Sequence, residues 1–151
     1  MNCPCHSGQT FDRCCGRFIS QDELPENAEQ LMRSRYCAYR LGNLEYLNAT
    51  WHPDSRSGDL AIDEKIHWLG LEILACDQQA QRAIVEFEAQ LLVDGKVNAM
   101  HERSAFVRDQ GRWLYTEGEL LAPSFTPWKP ARNESCPCGS GKKFKRCCAR
   151  P

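Results

Sequence analysis

Eight of the ten cysteines in this 151-residue chain stand in two sets, Cys3, Cys5, Cys14 and Cys15 near the start and Cys136, Cys138, Cys147 and Cys148 near the end. The segments NCPCHSGQTFDRCCGRF and ESCPCGSGKKFKRCCARP coincide at an offset of 133 residues, giving the shared pattern C-P-C-x-S-G-x-x-F-x-R-C-C-x-R. Four thiolates per copy are the donor set of a closed structural zinc site, tetrahedral with zinc–sulfur bonds of about 2.3 Å. Each copy therefore predicts one zinc ion, two per chain. The first two cysteines of a copy sit on a tight knuckle, and the adjacent pair approaches from a short turn or helix. Ser7-Gly8 and Ser140-Gly141 supply a turn whose N–H groups point at the sulfurs. Phe11 and Phe144 form the miniature core. A segment this short buries too little surface to fold alone, so metal binding supplies its folding free energy. Disulfide pairing or iron–sulfur ligation would use the same cysteines, but the Cys-Cys pair and the small basic shell suit zinc better. His6 is read as a surface residue, because Gly139 takes its place in the second copy.

Charge separates the two copies. Residues 129–151 carry seven basic side chains and one acidic, whereas residues 25–128 carry ten basic and sixteen acidic. Lys142, Lys143, Lys145, Arg146 and Arg150 more than offset four thiolates around a divalent ion and leave a basic face suited to an acidic partner. Nucleic acid is the weaker reading of that face, since Phe144 is the one aromatic among the cations. No stretch approaches the roughly 20 apolar residues that a membrane span needs. The N-terminus lacks a signal-peptide pattern, so a cytoplasmic chain with reduced thiols is expected.

The elements between the two sets follow from periodicity. Leu24-Pro25-Glu26-Asn27 reads as a helix entrance with Pro25 at or just before the first turn, and Ala28, Leu31, Met32, Tyr36 and Tyr39 form a helical stripe. Gly42 stops that helix, Asn43 caps a second one through Leu47, and Pro53 ends it. A polar loop with Ser55, Ser57, Gly58 and Asp59 follows. The period then changes to two. Ile66, Trp68, Leu71 and Ile73 mark a first strand, irregular around Gly70. Ala83, Val85, Phe87, Ala89 and Leu91 alternate with polar residues in a second. Asp94-Gly95 and Gln110-Gly111 mark tight turns around strands at Val97–Val107 and Arg112–Gly118. Helices followed by a four-strand antiparallel meander give an α+β fold. The expected organisation is a knuckle at 1–20, a central domain at 25–128, and a linker and second knuckle at 129–151.

Glu102 and Ser104 share a strand face with Met100 and Phe106. With Trp113 and Tyr115 they define a candidate pocket, in which Glu102 would act as an acid or base or simply bond Ser104 to fasten the sheet. Cys37, on the helical stripe, is expected to be a small core residue, and His67 a strand surface residue.

The tail CPCGSGKKFKRCC resembles the SEC-C motif, the zinc-binding C-terminal segment of the SecA preprotein translocase motor. One copy at each end, together with MRSRYCAYRLGNLEYLNATWHP and HERSAFVRDQGRWLY between them, is similar to the YchJ-like family of bacterial proteins. The resemblance implies a central NTF2-like domain, a cone of helices against a curved sheet, and it implies no activity or small-molecule substrate. It also implies a protein partner, a SecB-like chaperone, or the ribosome. The translocase motif often ends in a Cys-His pair, whereas both copies here end in Cys-Cys.

Overall fold

Asn27 begins the main helix. In the computed structural model, which describes residues 1–56, 62 and 65–149, its side chain accepts from Gln30 N at 2.8 Å, and Glu26 N donates back to Gln30 Oε1. This reciprocal cap satisfies donors that a helix start leaves open, so Pro25 lies outside the helix. The expected loop at Ser57, Gly58 and Asp59, and Arg150, fall outside the described residues.

The chain runs through a one-turn 3-10 segment (Phe11–Arg13), α1 (Gly16–Ile19), α2 (Ala28–Leu41) and α3 (Leu44–Ala49). Four strands follow: β1 (His67–Gln78), β2 (Arg82–Val93), β3 (Lys96–Asp109) and β4 (Arg112–Leu121). Gly42 closes α2 at φ 75°, and the Asn43 side chain caps α3 by accepting from Tyr46 N. Helix α3 stops at Ala49, before Pro53, which instead opens a separate 3-10 turn at Pro53–Ser55. The strands form one antiparallel sheet in the order β1-β2-β3-β4. Two-residue turns at Asp94-Gly95 (φ 52° and 77°) and Gln110-Gly111 (φ 54° and 78°) join β2 to β3 and β3 to β4. Positive φ at both positions gives the primed turn whose twist matches the strands.

Both faces of the sheet are covered, each by different parts of the chain. On the inner face, Val85, Phe87 and Ala89 of β2 and Phe106 of β3 pack against Leu31, Met32 and Tyr36 of α2, and the four N-terminal cysteines belong to the same core. On the outer face, Leu92 and Val97 pack with Leu69, Cys136 and Phe144 of the C-terminal knuckle. The expected alternation in β2 holds from Ala83 to Phe87 and then changes: Glu88 is buried between Phe87 and Ala89, and farther on Leu92 is buried and Leu91 only half-buried. The C-terminal knuckle is the cause, because it covers the outer face at that end. A register shift between Trp68 and Gly70 does related work in β1. Trp68 lies opposite Leu91 and Leu71 opposite Ala89, both inner positions, while the extra residue Leu69 is buried in the outer cluster. Glu88, 8% exposed on the outer face, accepts from Ser124 N at 3.1 Å and Ser124 Oγ at 2.6 Å, which answers the cost of burying a carboxylate.

Candidate metal centres

The N-terminal knuckle is a backbone loop closed by Cys3 N donating to Gln9 O, His6 N to Cys3 O and Cys14 N to Phe11 O. His6 takes φ 62° and Gly8 φ 87° to make the turn. Four sulfurs, from Cys3, Cys5, Cys14 and Cys15, come within 4.8 Å of one another, all buried. The Cys5–Cys14 separation is 3.6 Å and the Cys14–Cys15 separation 3.9 Å. A tetrahedron with zinc–sulfur bonds of about 2.3 Å has edges of about 3.8 Å, whereas a disulfide draws its sulfurs to about 2.05 Å. The spacing fits a metal ion, and all ten cysteines are free thiols. Ser7 Oγ lies 3.1 Å from Cys14 Sγ, placed to donate to a thiolate. Arg33, from α2, donates to Cys5 O at 2.9 Å and reaches Cys5 Sγ at 3.7 Å.

Crowding of thiols splits their acidities. Hydrogen bonds from Cys15 and then Cys37 bring Cys3 down to about 6, and those from Cys15 and Cys3 hold Cys5 well below the usual thiol range. Cys15 is pushed up by the same contacts, chiefly with Cys3, and Cys14 is pushed up by burial. A divalent ion held by Cys3, Cys5, Cys14 and Cys15 would remove this competition, since it binds them as thiolates.

The C-terminal knuckle repeats the construction. Cys136 N donates to Lys142 O, Gly139 N to Cys136 O and Cys147 N to Phe144 O. Gly139 adopts φ 81° at the position of His6, so that place demands a left-handed backbone and not an imidazole. The Cys138–Cys147 and Cys147–Cys148 separations are 3.5 and 3.9 Å, and the four sulfurs again lie within 4.8 Å of one another. Ser140 Oγ stands 3.2 Å from Cys147 Sγ, matching Ser7. Burial acts upward on Cys138, but donors from the Ser140 side chain and backbone outweigh it and leave that thiol at about 7. Cys138, Cys147 and Cys148 are half-buried, so this centre lies nearer the surface than the first. Lys142, Lys143 and Arg146 around it are exposed and Lys145 is half-buried.

Two contacts were not legible in the spacing. Cys37 of α2 places its sulfur 3.6 Å from Cys3, although it is not within reach of the whole tetrad. His67, at the start of β1, brings Nε2 to 3.2 Å from Cys148 Sγ and ties the second knuckle to the sheet. The remaining candidate residues divide. Glu102, Ser104 and Tyr115 line a cavity of about 280 Å³ between α2 and the sheet, and Ser104 Oγ donates to Glu102 Oε2 at 2.6 Å. Phe106 and Trp113 are outside that lining. Phe106 is buried in the core with its ring 5.8 Å from Tyr115, and Trp113 Nε1 donates to Glu26 O. Phe106 keeps the face of Glu102 and Ser104, since β3 pairs with β2 without a break, but it lies opposite Ala83 toward the far end of that face. Arg35, which also lines the cavity, was missed; its signal was a cation set within the stripe of α2.

Comparison with known proteins agrees with this layout. A family model described as the middle NTF2-like domain of YchJ matches residues 27–118, and the SEC-C motif matches residues 2–17 and 132–150. A UPF0225 protein of Serratia proteamaculans is 42% identical over 98% of this chain and 97% of its own length. The solution structure of a SEC-C motif containing protein from Rhodopseudomonas palustris superposes with a TM-score of 0.74 at 36% identity, covering 81% of this chain and 100% of that one. The crystal structure of a SEC-C motif containing protein from Psychrobacter arcticus gives a TM-score of 0.65 at 28% identity, over 97% and 94%. With an NTF2-like α+β domain set between two cysteine tetrads that are both SEC-C motifs, the chain belongs to the YchJ-like, UPF0225 family of bacterial proteins.

Proposed function

We propose that the chain is a zinc-binding adaptor, with one zinc ion in each tetrad and a protein partner or the ribosome engaged through the C-terminal knuckle. The observation that carries the metal part is the pair of sulfur tetrads with edges near those of a zinc–thiolate tetrahedron. Zinc would be held by Cys3, Cys5, Cys14 and Cys15, and by Cys136, Cys138, Cys147 and Cys148. It supplies cross-linking and no redox chemistry, so the centres serve as structural clasps. The partner part is supported by the exposed cations Lys142, Lys143 and Arg146 beside the less buried tetrad. A rigid knuckle with a basic rim suits an acidic surface, as on a SecB-like chaperone or the ribosome.

The test uses the full, metal-loaded chain against purified ribosomes, a SecB-like acidic chaperone and naked ribosomal RNA across a salt series. Binding to an acidic protein or to ribosomes is expected at low salt, weakening as salt rises, and weakening at fixed salt in the Lys142→Glu, Lys143→Glu double variant. Absence of binding at low salt removes the adaptor reading. Equal binding to naked RNA replaces it with nucleic-acid recognition.

A further inference from the structure

Arg35 is a cation inside a core. It is 4% exposed, on the face of α2 that packs against the sheet. Its Nη1 donates to Leu47 O at 2.8 Å and to Thr50 Oγ1 at 2.7 Å, and the guanidinium carbon lies 4.6 Å from the centre of the Tyr115 ring. Among the described residues no carboxylate comes within ion-pair distance of it, and its Nε and Nη2 donors make no hydrogen bond. Glu102 acts on it only from farther off, and burial pulls its pKa below the usual arginine range. A guanidinium so placed is largely desolvated and has no counter-charge beside it, while its unbonded donors stay open to the adjoining cavity, where an anion would offset the cost of its burial.

The space beside it has a definite shape. The cavity of about 280 Å³ is lined by Arg35, Tyr36, Tyr39, Trp68, Glu102 and Tyr115 together with apolar side chains. A cavity of roughly 150 Å³ accommodates benzene, so this one admits a single ring with short substituents. Aromatic walls favour a planar ligand through stacked and edge contacts. The two free guanidinium donors form the fork that a carboxylate fills in bidentate fashion. A further polar atom is open: Glu102 Oε1 is left over beside the bond that Ser104 makes to Oε2. Glu102 also disfavours a second negative charge. We propose that this cavity binds a small monocyclic aromatic monocarboxylate, with its carboxylate on Arg35, its ring among Tyr39, Trp68 and Tyr115, and room for a hydrogen-bond-donating substituent.

No tetrad cysteine lines this cavity, although the first tetrad shares its core, so the test is read on metal-loaded full-length chain with metal content measured alongside. Benzoate, 4-hydroxybenzoate and phenol are titrated while the Trp68 indole resonance is followed by NMR. Both carboxylates are expected to shift that resonance and to bind at least tenfold more tightly than phenol. In Arg35→Met the advantage of benzoate over phenol is expected to vanish. Should that variant not fold, Ala89→Leu, which adds volume at the cavity wall, is expected to weaken both carboxylates by a similar factor. Benzoate binding no tighter than phenol in the native chain overturns the proposal, as does carboxylate binding that survives Ala89→Leu unchanged.

Discussion

Cys37 separates ligand from neighbour. Five thiols crowd the N-terminal knuckle, and the Cys3–Cys37 distance of 3.6 Å equals the Cys5–Cys14 distance, so distance alone does not divide them. Mutual reach does, since only four sulfurs lie within 4.8 Å of one another. Replacing Cys37 by Ser is therefore expected to leave the metal stoichiometry intact, whereas Cys5→Ser removes one ion per chain; equal losses in metal analysis would make Cys37 a ligand. Gly16 is a second residue-scale constraint. A Cβ there would meet Phe11 O at 2.8 Å and the Phe11 ring at 2.9 Å. Gly16→Ala is expected to cost about 1–3 kcal/mol through overpacking, read as a lowered denaturation midpoint; an unchanged midpoint rejects that close packing. The matching position of the second knuckle is Ala149, so the constraint belongs to the copy that continues into α1.

At the scale of elements, β3 carries a pH-sensitive link. His101 and Arg103 share the outer face, and both reach Glu86 of β2: His101 Nε2 to Glu86 Oε2 at 2.9 Å, Arg103 Nη2 to Glu86 Oε1 at 3.0 Å. His101 Nδ1 also lies 3.0 Å from Ala122 O. With an acceptor at each ring nitrogen, the imidazolium is favoured. The Ala122 carbonyl first and Glu86 second raise its pKa above the ordinary value near 6.5, while His101 and then Arg103 lower that of Glu86. The stabilisation from His101 is thus full below about 6.5 and fades as pH rises through the folded-state value. An NMR titration is expected to place His101 above 6.5 and to move it down in Glu86→Gln; titration at or below 6.5 contradicts the link. The sharing of a face by His101 and Arg103 was legible from strand alternation, as were the Asn43 cap and both tight turns, because each depends on residues near in sequence; the entrance to α2 was legible only as a segment, with Asn27 and not Pro25 setting its start. The switch of burial from Leu91 to Leu92 was not, and neither was the burial of Glu88. Both arise from a knuckle and a linker more than 30 residues away in the chain, folding over the outer face. Phe106 and Trp113 share the face of the cavity residues, as alternation says, but how far along that face the cavity extends depends on packing against α2 and was not legible.

The whole molecule is a sheet covered on both faces by cysteine knuckles. The first knuckle shares the inner core with α2, and the second closes the outer face through Phe144 and the contact of Cys148 with His67. Among the described residues no helix is long and apolar enough to cross a membrane. The tetrads were legible because a repeated spacing survives without three-dimensional context, whereas their docking onto opposite faces was not, since nothing in a spacing says which surface it will meet. Docking of this kind makes metal and sheet interdependent: Cys138→Ser is expected to expose Leu69, Leu92 and Val97 to faster amide exchange around β1–β3 while α2 stays protected. The central claim is met most directly by native mass spectrometry of chain purified without oxygen, with sulfur-edge and zinc-edge absorption on the same sample. Two zinc ions per chain in all-sulfur coordination are the expected result. A folded chain that carries no metal, or whose tetrads are closed as disulfides while it is kept reduced, would contradict it.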